Sequence, residues 1–69
     1  MNGQEIQALR KKMGLSRNQF AYRIGTTERT VFRWEEEGKQ PSPMALKLLD
    51  MLSEEVYGMA EKVQVLEGV

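Results

Sequence analysis

Apolar positions recur at helical spacing almost from the first residue. Ile6, Leu9 and Met13 stand at i, i+3 and i+7, with Asn2 in place as an N-cap and Gly14 as a stop. This spacing predicts a first helix over about residues 3–13. After Leu15, the run Ser16-Arg17-Asn18-Gln19 has the S-x-x-Q form of a capping box, which opens a second helix near Arg17. The buried stripe of that helix is Phe20, Ala21 and Ile24, and Gly25 ends it, because glycine takes the left-handed conformation beyond a helix at little steric cost. Thr27 then caps a third helix whose apolar side is Val31 and Trp34 and whose terminator is Gly38. The polar loop Lys39-Gln40-Pro41 leads to Ser42-Pro43, an N-cap followed by proline at the first helical position. A fourth helix starts there, with Met44, Ala45, Leu48, Leu49 and Leu52 as its apolar face.

Two continuations fit the pattern beyond Leu52. Leu49, Leu52, Val56, Met59, Val63 and Leu66 are spaced alternately by three and four, which is an a/d seam with Leu49, Val56 and Val63 at a. Gly58 interrupts that run, and the other reading is a short fifth helix folded onto the domain, followed by a frayed or strand-like tail over residues 63–69. Either arrangement suits dimerisation. The expected organisation is thus a helical domain over residues 1–52 and a C-terminal helix or tail over 53–69, a possible dimerisation segment.

The fold class expected is all-α, a compact bundle of four to five helices. Only Gly25, Thr26 and Thr27 separate the second helix from Glu28, so the two amphipathic helices are joined by a very tight turn. A small residue, Ala21, lets them cross closely, and together these features describe a helix-turn-helix. Generic helical hairpins share this spacing.

Composition narrows the chemistry. Cysteine and histidine are both absent from the 69 residues, which leaves disulfides, a thiolate nucleophile, a histidine base and ordinary zinc sites without their side chains. No nucleophile and base are paired in the sequence, so an enzyme is the least favoured class and no cofactor or metal is expected. No apolar stretch is long enough for a membrane span, and Met1 leads into a polar helix rather than a signal peptide, so the expected location is the cytoplasm. The net charge is zero, which by itself argues against a polyanionic partner. Its distribution reverses that argument: residues 1–33 carry +5 and residues 34–69 carry −5. That asymmetry fits a basic face backed by an acidic one, and equally a solvated surface.

Residues 3–52 resemble the phage repressor and Cro type of helix-turn-helix, the XRE family, with a lambda-repressor-like fold. The matching residues are Ile6-x-x-Leu9-Arg10, Gly14-Leu15-Ser16, Phe20-Ala21, Ile24-Gly25, Val31-x-x-Trp34-Glu35 and Gly38-x-x-Pro41-Ser42. The resemblance implies a bundle of about five helices that binds operator DNA as a homodimer, one recognition helix per half-site, at the nucleoid of a bacterial or phage-bearing cell. It implies base-facing roles for Thr27, Glu28, Arg29 and Arg33, and the helical face they share also carries Phe32. Arg29 or Arg33 matches guanine O6 and N7, and Glu28 either accepts from cytosine N4 or orients one of these arginines. Phe32 touches a thymine methyl or a sugar, or folds over the domain edge. Phosphate contacts are implied for Arg17 and Asn18 at the start of helix two and for Lys39 in the loop after helix three. Many family members have glutamine where Arg17 stands, a residue that touches phosphate and braces the reading helix; arginine keeps the first role and leaves the second open. Arg10 and Glu35 match a partly buried ion pair between helices one and three. Trp34 reads as core. The run Glu35-Glu36-Glu37-Gly38 is one residue longer than the common Glu-x-Gly ending and puts extra carboxylates where the helix dipole disfavours them. The rival reading is an antitoxin-like or anti-repressor-like module whose acidic second half grips a basic protein partner.

Overall fold

A computed structural model describes the backbone of residues 1–67 and the side chains of residues 1–58. Among the described residues the structure is all-helical: α1 (Gly3–Lys12), α2 (Arg17–Ile24), α3 (Glu28–Glu36) and α4 (Pro43–Glu67). Each start is fixed by a side chain within one turn. The Asn2 side chain accepts from the Glu5 amide at 2.8 Å while the Glu5 carboxylate accepts from the Asn2 amide at 2.9 Å. Ser16 and Gln19 do the same for α2, at 3.1 and 2.9 Å. Thr27 accepts from the Thr30 amide at 3.2 Å, and Ser42 from the Ala45 amide at 3.2 Å. These bonds satisfy amides that a helix start otherwise leaves orphaned.

The ends differ in an informative way. Gly25 ends α2 at φ 80°, and the Thr26 amide reaches back five residues to the Ala21 carbonyl at 2.9 Å, which turns the chain sharply into α3. At the end of α3 the reach is longer. The amides of Glu37 and Lys39 both donate to the Arg33 carbonyl, each at 3.1 Å, around Gly38 at φ 70°. The additional residue in the Glu35-Glu36-Glu37-Gly38 run is absorbed by this wider loop.

Ile6, Leu9, Phe20, Ala21, Val31, Trp34 and Leu49 form the core, and Met13, Leu15, Ile24, Ala45, Leu52 and Val56 pack against it. Helix α3 rests on α2 and α1, and α4 on α1. Ala21 of α2 is buried in that core, and one close approach tightens the arrangement: Gly3 lies against the end of α3. A Cβ on Gly3 would stand 2.5 Å from the Trp34 carbonyl oxygen and 3.0 Å from that of Glu35.

Helix α4 continues through Leu52 and Gly58 as one 25-residue helix, so of the two continuations that fit the sequence the separate fifth helix is not formed. The first half of the proposed heptad seam is also spent within the domain. Leu49 is fully buried, and Leu52 and Val56 pack on the core, so these positions face their own chain. Heptad spacing reports only that one helix face is apolar, not whose core it enters. The side chains of Met59, Val63 and Leu66 lie outside the described residues. Among the described residues, α4 exposes the large apolar side chains Met44, Leu48, Met51 and Tyr57, and the first three form a stripe by their i, i+4, i+7 spacing. Among the described residues no helix is long and apolar enough to cross a membrane.

Candidate nucleic-acid interface

One buried carboxylate ties helix α3 to both α1 and α2. The Glu35 side chain has no solvent exposure and accepts three hydrogen bonds from two arginines on two other helices. Arg10 Nε donates to Oε2 at 2.8 Å and Arg10 Nη2 to Oε1 at 3.1 Å, while Arg17 Nε donates to Oε1 at 3.0 Å. Arg10 Nη1 also donates to the Leu15 carbonyl at 3.0 Å, so the same guanidinium ties α1, the link to α2, and α3. Burial works against the charged form of Glu35, but the hydrogen bonds from Arg10 and Arg17 outweigh it and hold the carboxyl below its usual range.

Arg17 has a second anchor, with Nη2 donating to Glu36 Oε1 at 2.6 Å. Glu35 at the same time raises the Arg17 pKa, chiefly through its hydrogen bond. Arg17 therefore braces α3, the role that the glutamine-to-arginine difference had left open. Both carboxylates that bind it come from the end of α3, where the helix dipole alone disfavours acids, and the two arginines compensate for that. Its guanidinium also lies over the Phe32 ring, 5.1 Å from the centroid.

The outer face of α3 carries the other candidates. Glu28, Arg29, Phe32 and Arg33 are exposed and, with Arg17 and Glu37, line an open depression of about 470 Å³. Phe32 is the sole apolar side chain lining it. Neither Arg29 nor Arg33 has an ion pair among the described residues, and the suggested pairing of Glu28 with one of them is not formed. Thr27 stands apart from this group: its hydroxyl is engaged at the helix start, accepting from the Thr30 amide and lying 3.0 Å from the Thr30 hydroxyl. Asn18 and Lys39 are exposed, at the second position of α2 and in the loop after α3, and do not line the depression.

Sequence reasoning missed Gly3, Glu36 and the second anchor of Arg17. Gly3 carries no local signal, since a glycine opening a helix is unremarkable until another backbone is seen against it. Complementary charge between the start of α2 and the acidic end of α3 was the available hint for Arg17 and Glu36.

A helix-turn-helix family model matches residues 6–51, from the core of α1 to the exposed stripe of α4. No curated protein matches the chain, and no solved structure does.

Proposed function

The chain belongs to the XRE-type helix-turn-helix family of DNA-binding proteins, and from that premise we propose that it is a transcriptional repressor that reads a double-stranded operator in the major groove with α3. The observation that carries this reading is the division of charge on α3. Its buried acid is tied to Arg10 and Arg17, and Glu36 to Arg17, which leaves Arg29 and Arg33 exposed and without an ion pair among the described residues. A guanidinium fork directed outward matches guanine O6 and N7, and the Glu28 carboxylate beside it matches cytosine N4. Lys39 and Asn18 flank the helix as phosphate contacts that set register. Because Arg17 is engaged by two carboxylates, its share of phosphate neutralisation is small. With a net charge of zero, affinity for random DNA is low, and binding to the operator depends on base contacts and on pairing with a second copy.

The second half-site is read by a second copy of the chain. Support for this comes from α4, whose Met44, Leu48 and Met51 form an exposed apolar stripe while Leu49 and Val56 of the heptad seam serve the core.

Selection of duplexes from a random pool, followed by mobility shifts at two salt concentrations, tests the reading. A two-fold symmetric consensus is expected. Arg29→Ala and Arg33→Ala are each expected to weaken the selected duplex by roughly 5- to 150-fold, the equivalent of one bidentate base contact. Undiminished binding by both variants refutes base reading by α3. Failure to enrich any duplex leaves the protein-binding module as the surviving reading.

A further inference from the structure

The geometry points to Arg17 as a positioning residue, which we propose fixes the Phe32 ring on the outer face of α3 as a reader of the thymine 5-methyl group; this deepens the operator reading and rests on it. Phe32 is 40% exposed on a helix face otherwise lined by charged side chains. An exposed phenylalanine that served only to fill space would have no need of a fixed orientation. This one has it: the Arg17 guanidinium lies 5.1 Å from the ring centroid, and the guanidinium is itself immobilised at two corners by Glu35 Oε1 at 3.0 Å and Glu36 Oε1 at 2.6 Å. Two tethers fix the plane of the fork and so fix the surface on which the ring rests.

What such a ring recognises follows from its chemistry. Phenylalanine neither donates nor accepts hydrogen bonds, and among the base edges of the major groove the thymine methyl is the apolar feature. Arg29 and Arg33, three residues before Phe32 and one after it, supply the polar reading on either side. The depression they line, about 470 Å³ and open, admits a base edge. Glu36 thereby acquires a purpose at a helix end where the dipole disfavours it: it is the outer tether of the ring's support.

The test uses the full chain and the tightest duplex selected from a random pool, resynthesised with deoxyuridine replacing one thymidine at a time. At one position in each half-site the parent protein is expected to lose about four-fold in affinity, the equivalent of one buried methyl. Phe32→Ala is expected to bind thymine and uracil duplexes equally at that position. Arg17→Lys keeps the positive charge but loses the planar, doubly tethered support. Its thymine-to-uracil ratio is expected to fall toward one at the same position and nowhere else, a readout that a general loss of stability or of phosphate contact does not move. Should Phe32→Ala fail to fold by circular dichroism, the ratios of the parent and of Arg17→Lys decide. Absence of a uracil-sensitive position, or one that persists in Phe32→Ala, overturns the assignment of Phe32 while Arg29 and Arg33 still test operator reading. A full ratio retained by Arg17→Lys overturns the role of Arg17. If no duplex is enriched, the operator reading fails and this inference fails with it.

Discussion

Replacing Glu35 by glutamine removes the one charge on which three helices converge. The carboxylate is fully enclosed, whereas the Arg10 side chain retains 11% exposure and that of Arg17 27%. After Glu35→Gln the charge is gone and only one oxygen at residue 35 still accepts, the other becoming an NH2 that faces a guanidinium; beyond that, Arg10 keeps the Leu15 carbonyl and Arg17 keeps Glu36. Removing one member of a buried pair costs about 3–5 kcal/mol. Arg17 lowers that figure here because it retains both solvent and a second acid, so we expect ~2–3 kcal/mol. For a domain of this length the whole folding free energy is about 3–10 kcal/mol, so the variant loses a large fraction of it. Thermal unfolding followed by circular dichroism should show a midpoint lowered by roughly 10–20 °C. The burial order fixes a ranking: Glu35→Gln costs most, Arg10→Met less, and Arg17→Met least. A Glu35→Gln midpoint within a few degrees of the parent, or an Arg17→Met protein less stable than Arg10→Met, would refute the enclosed-carboxylate account. Apolar replacement of all three residues together should recover much of the loss, since a well-packed apolar cluster often equals a buried ion triad. It should not restore DNA binding, because the brace on α3 and the support under Phe32 are gone.

Two helical glycines should respond to alanine with opposite signs. Gly3→Ala places a Cβ against the Trp34 and Glu35 carbonyls and is expected to destabilise by about 1–3 kcal/mol, whereas Gly58→Ala has open space and should stabilise α4 by about 0.5–1 kcal/mol. Urea unfolding of both variants measures this, and a stabilising Gly3→Ala would refute the close approach of α1 to α3. Acid should weaken the fold through Glu35. Its folded-state pKa is depressed, so its contribution is fully present above the unfolded value of about 4.3 and disappears as pH falls through the lower folded value. A pH series of unfolding midpoints should therefore fall more steeply below pH ~4 for the parent than for Glu35→Gln, and parallel curves would contradict this.

Much of the fold was legible because its signals are local. Ser16 and Gln19, Thr27 and Ser42-Pro43 set helix starts through bonds that span three residues, and Gly14, Gly25 and Gly38 mark turns in the left-handed region. Ile6, Leu9, Phe20, Ala21, Val31 and Trp34 reveal their burial by spacing alone, since a helix repeats every 3.6 residues. The same periodicity places Glu28, Arg29, Phe32 and Arg33 on the face opposite the core. The sequence thus determined where α1 to α3 lie and where α4 begins, which side of α3 turns outward, and the family to which the chain belongs.

Only the tertiary structure decided what depends on contacts between segments distant in the chain. Arg17 and Glu36 are 19 residues apart, and their opposite charge is a hint that many other pairs in the chain share. Gly3 matters because the α3 carbonyls arrive beside it, and Leu49 serves its own core and not a partner helix because α4 folds back onto α1. Periodicity states that a face is apolar or charged; packing decides what that face meets, because burial and ion pairing are properties of two surfaces and a sequence window displays one.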